Sequence, residues 1–307
     1  MKEEIERLNK EAEALRLQDP ARAEELARKA QALAHEIGDR AGLAKSWLNL
    51  AAVYYQTERY AEGMQAAREA LALFTELDDL RGKARALNLV GICHRELGEM
   101  NEALFAYQES LKCAEAIDEK KGIAYAFNNI AALYIRLIDY ATALDTLLKS
   151  LTLFQEISDR YGEALVRINI GNIYQLNQEY ESALKEYQAA LAMYESLGLK
   201  KETAITHENI GILFKKLTDF ESAQGSLEKA LRLYEELNSL NGIAKVKHNL
   251  ATVYEDKGED EQAIQLYCEA LAIGEQVSNK SLIASVCLDL GRLYSKKQGI
   301  KGDERGN

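Results

Sequence analysis

Seven strings of similar character recur along this chain at one spacing. WLNLAAVY, LNLVGICH, FNNIAALY, RINIGNIY, HENIGILF, KHNLATVY and CLDLGRLY begin at Trp47, Leu87, Phe127, Arg167, His207, Lys247 and Cys287, 40 residues apart without an insertion. A period of this length calls for a stack of like supersecondary units, each too small to bury its own apolar face. An alanine opens every unit (Ala44, Ala84, Ala124, Ala164, Ala204, Ala244, Ala284) and serves as position 1. Positions 4, 7, 8 and 11 then share one helix face, with position 8 always Ala or Gly, so that a second helix can approach closely. That second helix begins near position 17 and keeps small residues at 20 and 27. Strings such as LDDLRG, IDEKKG and ISDRYG suit tight connections between helices.

Composition agrees with helix nearly throughout: the 307 residues contain one proline, Pro20, and 47% are apolar. The amino terminus is acidic and amphipathic, and no apolar run approaches the roughly 18 residues of a membrane span, so the chain reads as soluble and cytoplasmic. Four cysteines, Cys93, Cys113, Cys268 and Cys287, lack metal-ligand spacing and read as buried thiols of a reducing compartment. A net charge of −11 argues against nucleic acid or an anionic membrane as partner. His35, His94, His207 and His248 fall at different places in their units, with no metal motif, phosphate loop or nucleophile elbow, so neither catalysis nor a cofactor is expected. His94 stands in for the core tyrosine of position 11, and His207 and His248 could share a groove wall but have no clustered carboxylate or thiol to complete a metal site.

The pattern resembles the tetratricopeptide repeat (TPR), which has a bulky residue at 4, Leu at 7, Gly or Ala at 8, Tyr at 11, Ala at 20, an aromatic at 24 and Ala at 27. Trp47, Leu50, Ala51, Tyr54, Ala67 and Ala70 carry most of it, as do Ile170, Gly171, Tyr174, Ala183, Tyr187 and Ala190. The unit departs from the family pattern in being 40 residues rather than 34 and in lacking the usual proline near position 32; longer units with an Asn before the Leu-Gly/Ala pair resemble those of kinesin light chain, LGN/Pins proteins and bacterial Rap-like regulators. The resemblance implies an all-α, right-handed superhelical solenoid of about seven helix hairpins plus a carboxyl-terminal helix. Its expected units are 4–40, 44–80, 84–120, 124–160, 164–200, 204–240 and 244–280, with a half unit at 284–297 and a polar tail at 298–307. Together, residues 1–297 form one expected solenoid. In the first unit, Asp19 and Pro20 open the second helix.

Position 6 points away from the apolar stripe, onto the side that lines the concave groove in this family. It carries Asn49, Asn129, Asn169, Asn209 and Asn249, with Asp289 last and Leu89 as the exception; Asn88, Asn128 and Asn172 flank it at positions 5 and 9. An amide both donates and accepts, so such a ladder could hold an extended peptide backbone, or it could bond the neighbouring repeat and set the superhelix. The groove positions hold nine basic residues (Lys45, Arg85, Arg95, Arg136, Lys215, Lys216, Lys245, Arg292, Lys296) and five acidic ones (Glu96, Glu208, Glu255, Asp256, Asp289), which favours a mildly acidic partner. Tyr125, Leu165 and Ile205 at position 2 add apolar anchors. The functional expectation is a non-enzymatic module that binds a peptide or helix of a protein partner. The alternatives are a peptide- or ligand-sensing regulator of an output domain and a scaffold that self-associates through its carboxyl-terminal helix, where Leu290 and Tyr294 keep a face meant for a further helix.

Overall fold

The computed structural model describes residues 1–303, with side chains through 296, and among these every regular element is an α-helix. Packing divides the chain into two compact units, Met1–Ile173 and Tyr174–Asn307. The first holds α1 (Lys2–Leu15), α2 (Pro20–Ile37), α3 (Arg40–Gln56), α4 (Tyr60–Glu76), α5 (Leu80–Glu96), α6 (Met100–Glu115), α7 (Lys120–Arg136), α8 (Tyr140–Glu156) and most of α9 (Arg160–Leu176). The second holds α10 (Tyr180–Ser196), α11 (Lys200–Lys216), α12 (Phe220–Glu236), α13 (Leu240–Asp256), α14 (Asp260–Gln276) and α15 (Lys280–Asp303). The expected polar tail, 298–307, falls on the end of α15 and on residues 304–307, which lie outside the described residues.

Helices end at a fixed interval because a residue in the left-handed conformation recurs every twenty positions, from Gly38 (φ 69°) to Ser278 (φ 56°). At each such turn the last carbonyls are satisfied in the same way, as where Asp78 N donates to Thr75 O (3.3 Å) and Asp79 N to Phe74 O (3.0 Å). A side-chain cap often opens the next helix: Asp79 accepts from Gly82 N and Asp139 from Thr142 N. The 40-residue repeat is thus two half-units of equal length. Ile138 occupies the left-handed position at φ 64° while 73% exposed, a conformation that crowds a β-branched side chain and earns no burial in return. Ile138→Gly is therefore expected to raise stability by about 1 kcal/mol, read as a higher urea midpoint at unchanged slope.

Within each unit a first helix packs against the second helix of its own hairpin, as α1 on α2, α3 on α4, α5 on α6, α7 on α8, α11 on α12 and α13 on α14, and successive first helices pack on one another, α1 on α3, α3 on α5, α5 on α7, and in the second unit α11 on α13 and α13 on α15. Their outward side is the first-helix face. Between the helices the small residue at position 8 meets a large one at 24. A Cβ on Gly91 would stand 2.5 Å from the Tyr107 ring, and one on Gly211 2.6 Å from Leu227. Tyr107, Leu147, Tyr187, Leu227 and Tyr267 are accordingly sealed in the core. Where position 27 is serine the hydroxyl is not stranded: Ser110 donates to Ala84 O (2.8 Å) and Ser150 to Ala124 O (2.7 Å). A second close approach joins consecutive hairpins. Gly82, Gly162 and Gly242 lie under Phe74, Phe154 and Tyr234, and a Cβ on any of them would be within 2.3 Å of a ring carbon.

Candidate functional site

The asparagine ladder is built by a pairing that spans neighbouring repeats. Asn129 Nδ2 donates to Asn88 Oδ1 (2.7 Å) and Asn169 Nδ2 to Asn128 Oδ1 (2.8 Å); in the second unit Asn249 Nδ2 donates to Glu208 Oε1 (2.9 Å) and His248 Nε2 pairs with Asp289 Oδ2 (2.8 Å). Each bond joins position 5 of one repeat to position 6 of the next. Leu89, the exception at position 6, obeys the same rule, because Leu48 holds the preceding position 5 and both belong to one apolar cluster. At the amino-terminal end Asn49 Nδ2 donates to Asn9 O (2.9 Å) and Oδ1 (3.2 Å), while Asn9 Nδ2 reaches Gly42 O (3.1 Å). The bonds thus reach mainly side chains of the neighbouring repeat; the backbone contacts are confined to this first rung.

These rungs leave the predicted residues in two classes. Asn49, Asn128 and Asn129 are buried, whereas Asn88, Asn169, Asn172, Asn209 and Asn249 are half-buried. Among the described residues no hydrogen bond reaches Asn209, so its whole amide is unspent. The predicted cations divide likewise. Arg85 pairs with Glu13 (2.5 Å), Arg95 with Glu96 (2.7 Å), Lys215 with Asp256 (3.3 Å), and Arg292 with Glu255 (3.1 Å) and Asp289 (3.2 Å). Lys45, Arg136, Lys216 and Lys245 remain exposed. Tyr125 is half-buried with its ring edge-on to Phe154, 4.9 Å between centroids, and burial pushes its phenol up; Ile205 is 38% exposed.

Glu208 is the unusual member of the ladder, a carboxylate where other rungs have an amide. Asn249 Nδ2 donates to one oxygen and Tyr234 Oη to the other (3.3 Å), yet burial outweighs these bonds and nearby Lys245 and raises the Glu208 pKa. A raised folded-state value means the stabilising contribution is complete below the unfolded carboxylate range and is lost as pH rises through the folded value. Glu208→Gln is therefore expected to be more stable than wild type at neutral pH, with the difference vanishing on acidification below the ordinary glutamate range, as read by urea midpoints across pH.

Several single-residue expectations change. His207 and His248 take different partners: His248 belongs to the Asp289 rung, and His207 lies at position 4 with Glu195 Oε1 4.0 Å from its Nε2. His94 Nδ1 bonds Glu99 Oε2 (2.5 Å), as a satisfied packing residue would. Cys93 and Cys113 are buried, with burial pushing the Cys93 thiol up to about 11, but Cys268 and Cys287 are exposed. Cys268 sits on the outward side of α14, and Cys287 opens onto a face of α15 against which no described helix is packed; α15 is held by α14 and α13. On that helix Leu288 is 75% and Tyr294 45% exposed. Among the described residues no group of three or more His, Cys, Asp or Glu could hold a metal ion, and no helix is long and apolar enough to cross a membrane. Position 5 was missed as half of each rung; its signal is the residue matching at an offset of 41, which pairs leucine with leucine and histidine with aspartate.

Comparison with known proteins agrees with this architecture. No curated protein is significantly similar in sequence. Among solved structures, the apo form of RapI superposes with a TM-score of 0.64 at 17% identity, over 90% of this chain and 99% of that one. A Rap protein complexed with competence and sporulation factor gives 0.63 at 12% identity, covering 96% and 99%. Kinesin light chain TPR-like repeats from Podosopora anserina give 0.52 at 12%, covering 64% and 97%. At such identities the likeness concerns the fold. The tetratricopeptide repeat profile matches residues 42–116, 122–196, 162–236 and 202–276, well over half of the sequence. The chain belongs to the tetratricopeptide repeat family.

Proposed function

We propose that the chain is a non-enzymatic partner-binding protein whose first-helix face takes an extended peptide or a helix of another protein. The observation that carries this reading is the division of labour along the ladder. A rung with asparagine at position 6 consumes one donor of that amide and one acceptor of position 5, and an amide has further donors and acceptors to offer. In the second unit the unspent amide of Asn209 stands with exposed Ile205 and exposed Lys245 on the same run of first helices, a hydrogen-bonding group, an apolar anchor and a cation. In the first unit Lys45, Arg85, Arg95, Arg136 and Tyr125 supply the corresponding surface, with Arg85 and Arg95 already held by carboxylates. The exposed cations favour an acidic segment, acting on encounter rate and register more than on affinity. A structural neighbour that is a Rap protein complexed with competence and sporulation factor supports a peptide-sensing version of the same reading.

The test is recovery of protein partners from a cell extract by wild type, by Asn209→Ala/Lys245→Glu and by Ile138→Gly as a control remote in chemistry. The proposal expects a loss of about tenfold or more for the double variant alone, at unchanged thermal unfolding. Equal recovery by all three would overturn it.

A further inference from the structure

A cleft of about 400 Å³ opens where α10, α11 and α12 meet, with Glu195, Lys200, His207, Lys229, Arg232 and Glu236 among its walls. One wall is position 4, which is Trp47, Leu87 and Phe127 in three repeats and Arg167, Lys247 and Cys287 in three others; Trp47 packs there against a cluster containing Ala70 and Phe74. In α11 the residue is His207, whose ring lines a space of a size that small-molecule sites use.

The charges around this space are unevenly satisfied. Lys200 is held by Glu236 (2.8 Å), the same clamp that joins Lys120 to Glu156 (2.9 Å) in the first unit. Glu195 then faces two cations, Lys229 and Arg232, one turn apart on α12, and among the described residues no carboxylate lies within ion-pair distance of either. His207 is only 8% exposed, and its Nε2 stands 4.0 Å from Glu195 Oε1, beyond hydrogen-bond reach. No hydrogen bond among the described residues reaches this ring, and its nitrogens are not among the sealed polar atoms of the chain, so they are open to the cleft.

We propose that the His207 cleft binds the phosphoryl group of a small phosphate or phosphate monoester, with Lys229 and Arg232 as charge-assisted donors and His207 as the third. Exposed Lys229 and Arg232 on α12 and His207 on α11 line one cleft and offer three donors to a tetrahedral set of oxygens, and guanidinium and ammonium groups are the usual partners of such anions. Burial, with Lys229 nearby, holds the free imidazole below its ordinary pKa, against the weaker pull of Glu195. A dianion arriving beside it reverses that balance and favours the imidazolium, so binding is accompanied by proton uptake at His207. Lys200, Lys229 and Arg232 oppose this protonation, whereas Glu195 and Glu236 favour it. The site is separate from the first-helix face proposed above, and either can fail without the other.

The experiment follows the His207 ring by NMR while inorganic phosphate, free phosphoserine or acetate is added at constant ionic strength. Saturable shifts with phosphate, a rise of the His207 pKa, and binding weakened about tenfold or more in Lys229→Gln/Arg232→Gln at unchanged thermal unfolding are expected. Tighter binding of phosphoserine than of phosphate identifies a monoester as the ligand, and equal binding identifies free phosphate. Shifts that do not saturate, that acetate reproduces, or that persist in the double variant would overturn the site.

Discussion

Gly162→Val is expected to lower stability by about 3 kcal/mol. The glycine lies under Phe154, where even a Cβ would come within 2.3 Å of the ring carbons Cδ1 and Cε1. Phe154 is fully buried and held edge-on by Tyr125, so it has no room to withdraw. A valine must therefore separate α8 from α9 or drive the phenyl ring off its rotamer. Gly225→Ala supplies the opposite sign in the same backbone conformation. Gly225 sits inside α12, and a Cβ there would meet nothing within 4 Å, so only the helix preference for alanine acts. A gain of about 1 kcal/mol is expected there. Urea unfolding of the two variants separates a packing requirement from mere glycine content.

Asn128→Leu is expected to cost about 2 to 3 kcal/mol. Asn128 is 3% exposed and takes part in two contacts of the ladder: its Oδ1 accepts from Asn169 Nδ2 at 2.8 Å, and its Nδ2 approaches Asn129 Oδ1 at 3.5 Å. A leucine of similar volume keeps the packing but leaves Asn169 without its acceptor in a half-buried place. The penalty is that of an orphaned polar group, which exceeds the small net contribution of a satisfied hydrogen bond. The same change at exposed Lys45 touches no rung and is expected to leave the urea midpoint almost unmoved.

Much of this architecture can be read from periodicity. The alanine at position 1, the small residue at 8 and the large one at 24 report a helix hairpin because their spacing and volumes allow no other close packing. The length of the half-unit was less visible, since its left-handed residue is glycine at Gly38, Gly98, Gly198 and Gly258 but Glu, Asp, Ile, Ser, Gln, Thr or Asn elsewhere. Conformation recurs there while composition does not. The ladder was visible as a row of amides, yet a row of amides does not say where its donors point. What decides it is the neighbour at position 5, one residue earlier in the preceding repeat, and Leu48 opposite Leu89 is as informative as Asn88 opposite Asn129. The His207 cleft was the least legible feature. A histidine at position 4 reads as one more polar substitution until the walls contributed by α10 and α12 are in place.

The central claim is that positions 5 and 6 form matched rungs between repeats, and a double-mutant cycle on Asn88 and Asn129 tests it most directly. Asn88→Leu and Asn129→Leu alone are each expected to lower stability by roughly 1 to 3 kcal/mol, because each strands the other amide. Combined, they recreate the leucine pair of Leu48 and Leu89, and the double variant is expected to recover to within about 1 kcal/mol of wild type. Losses that simply add, with the double variant less stable than either single one by the sum of their effects, would contradict the pairing.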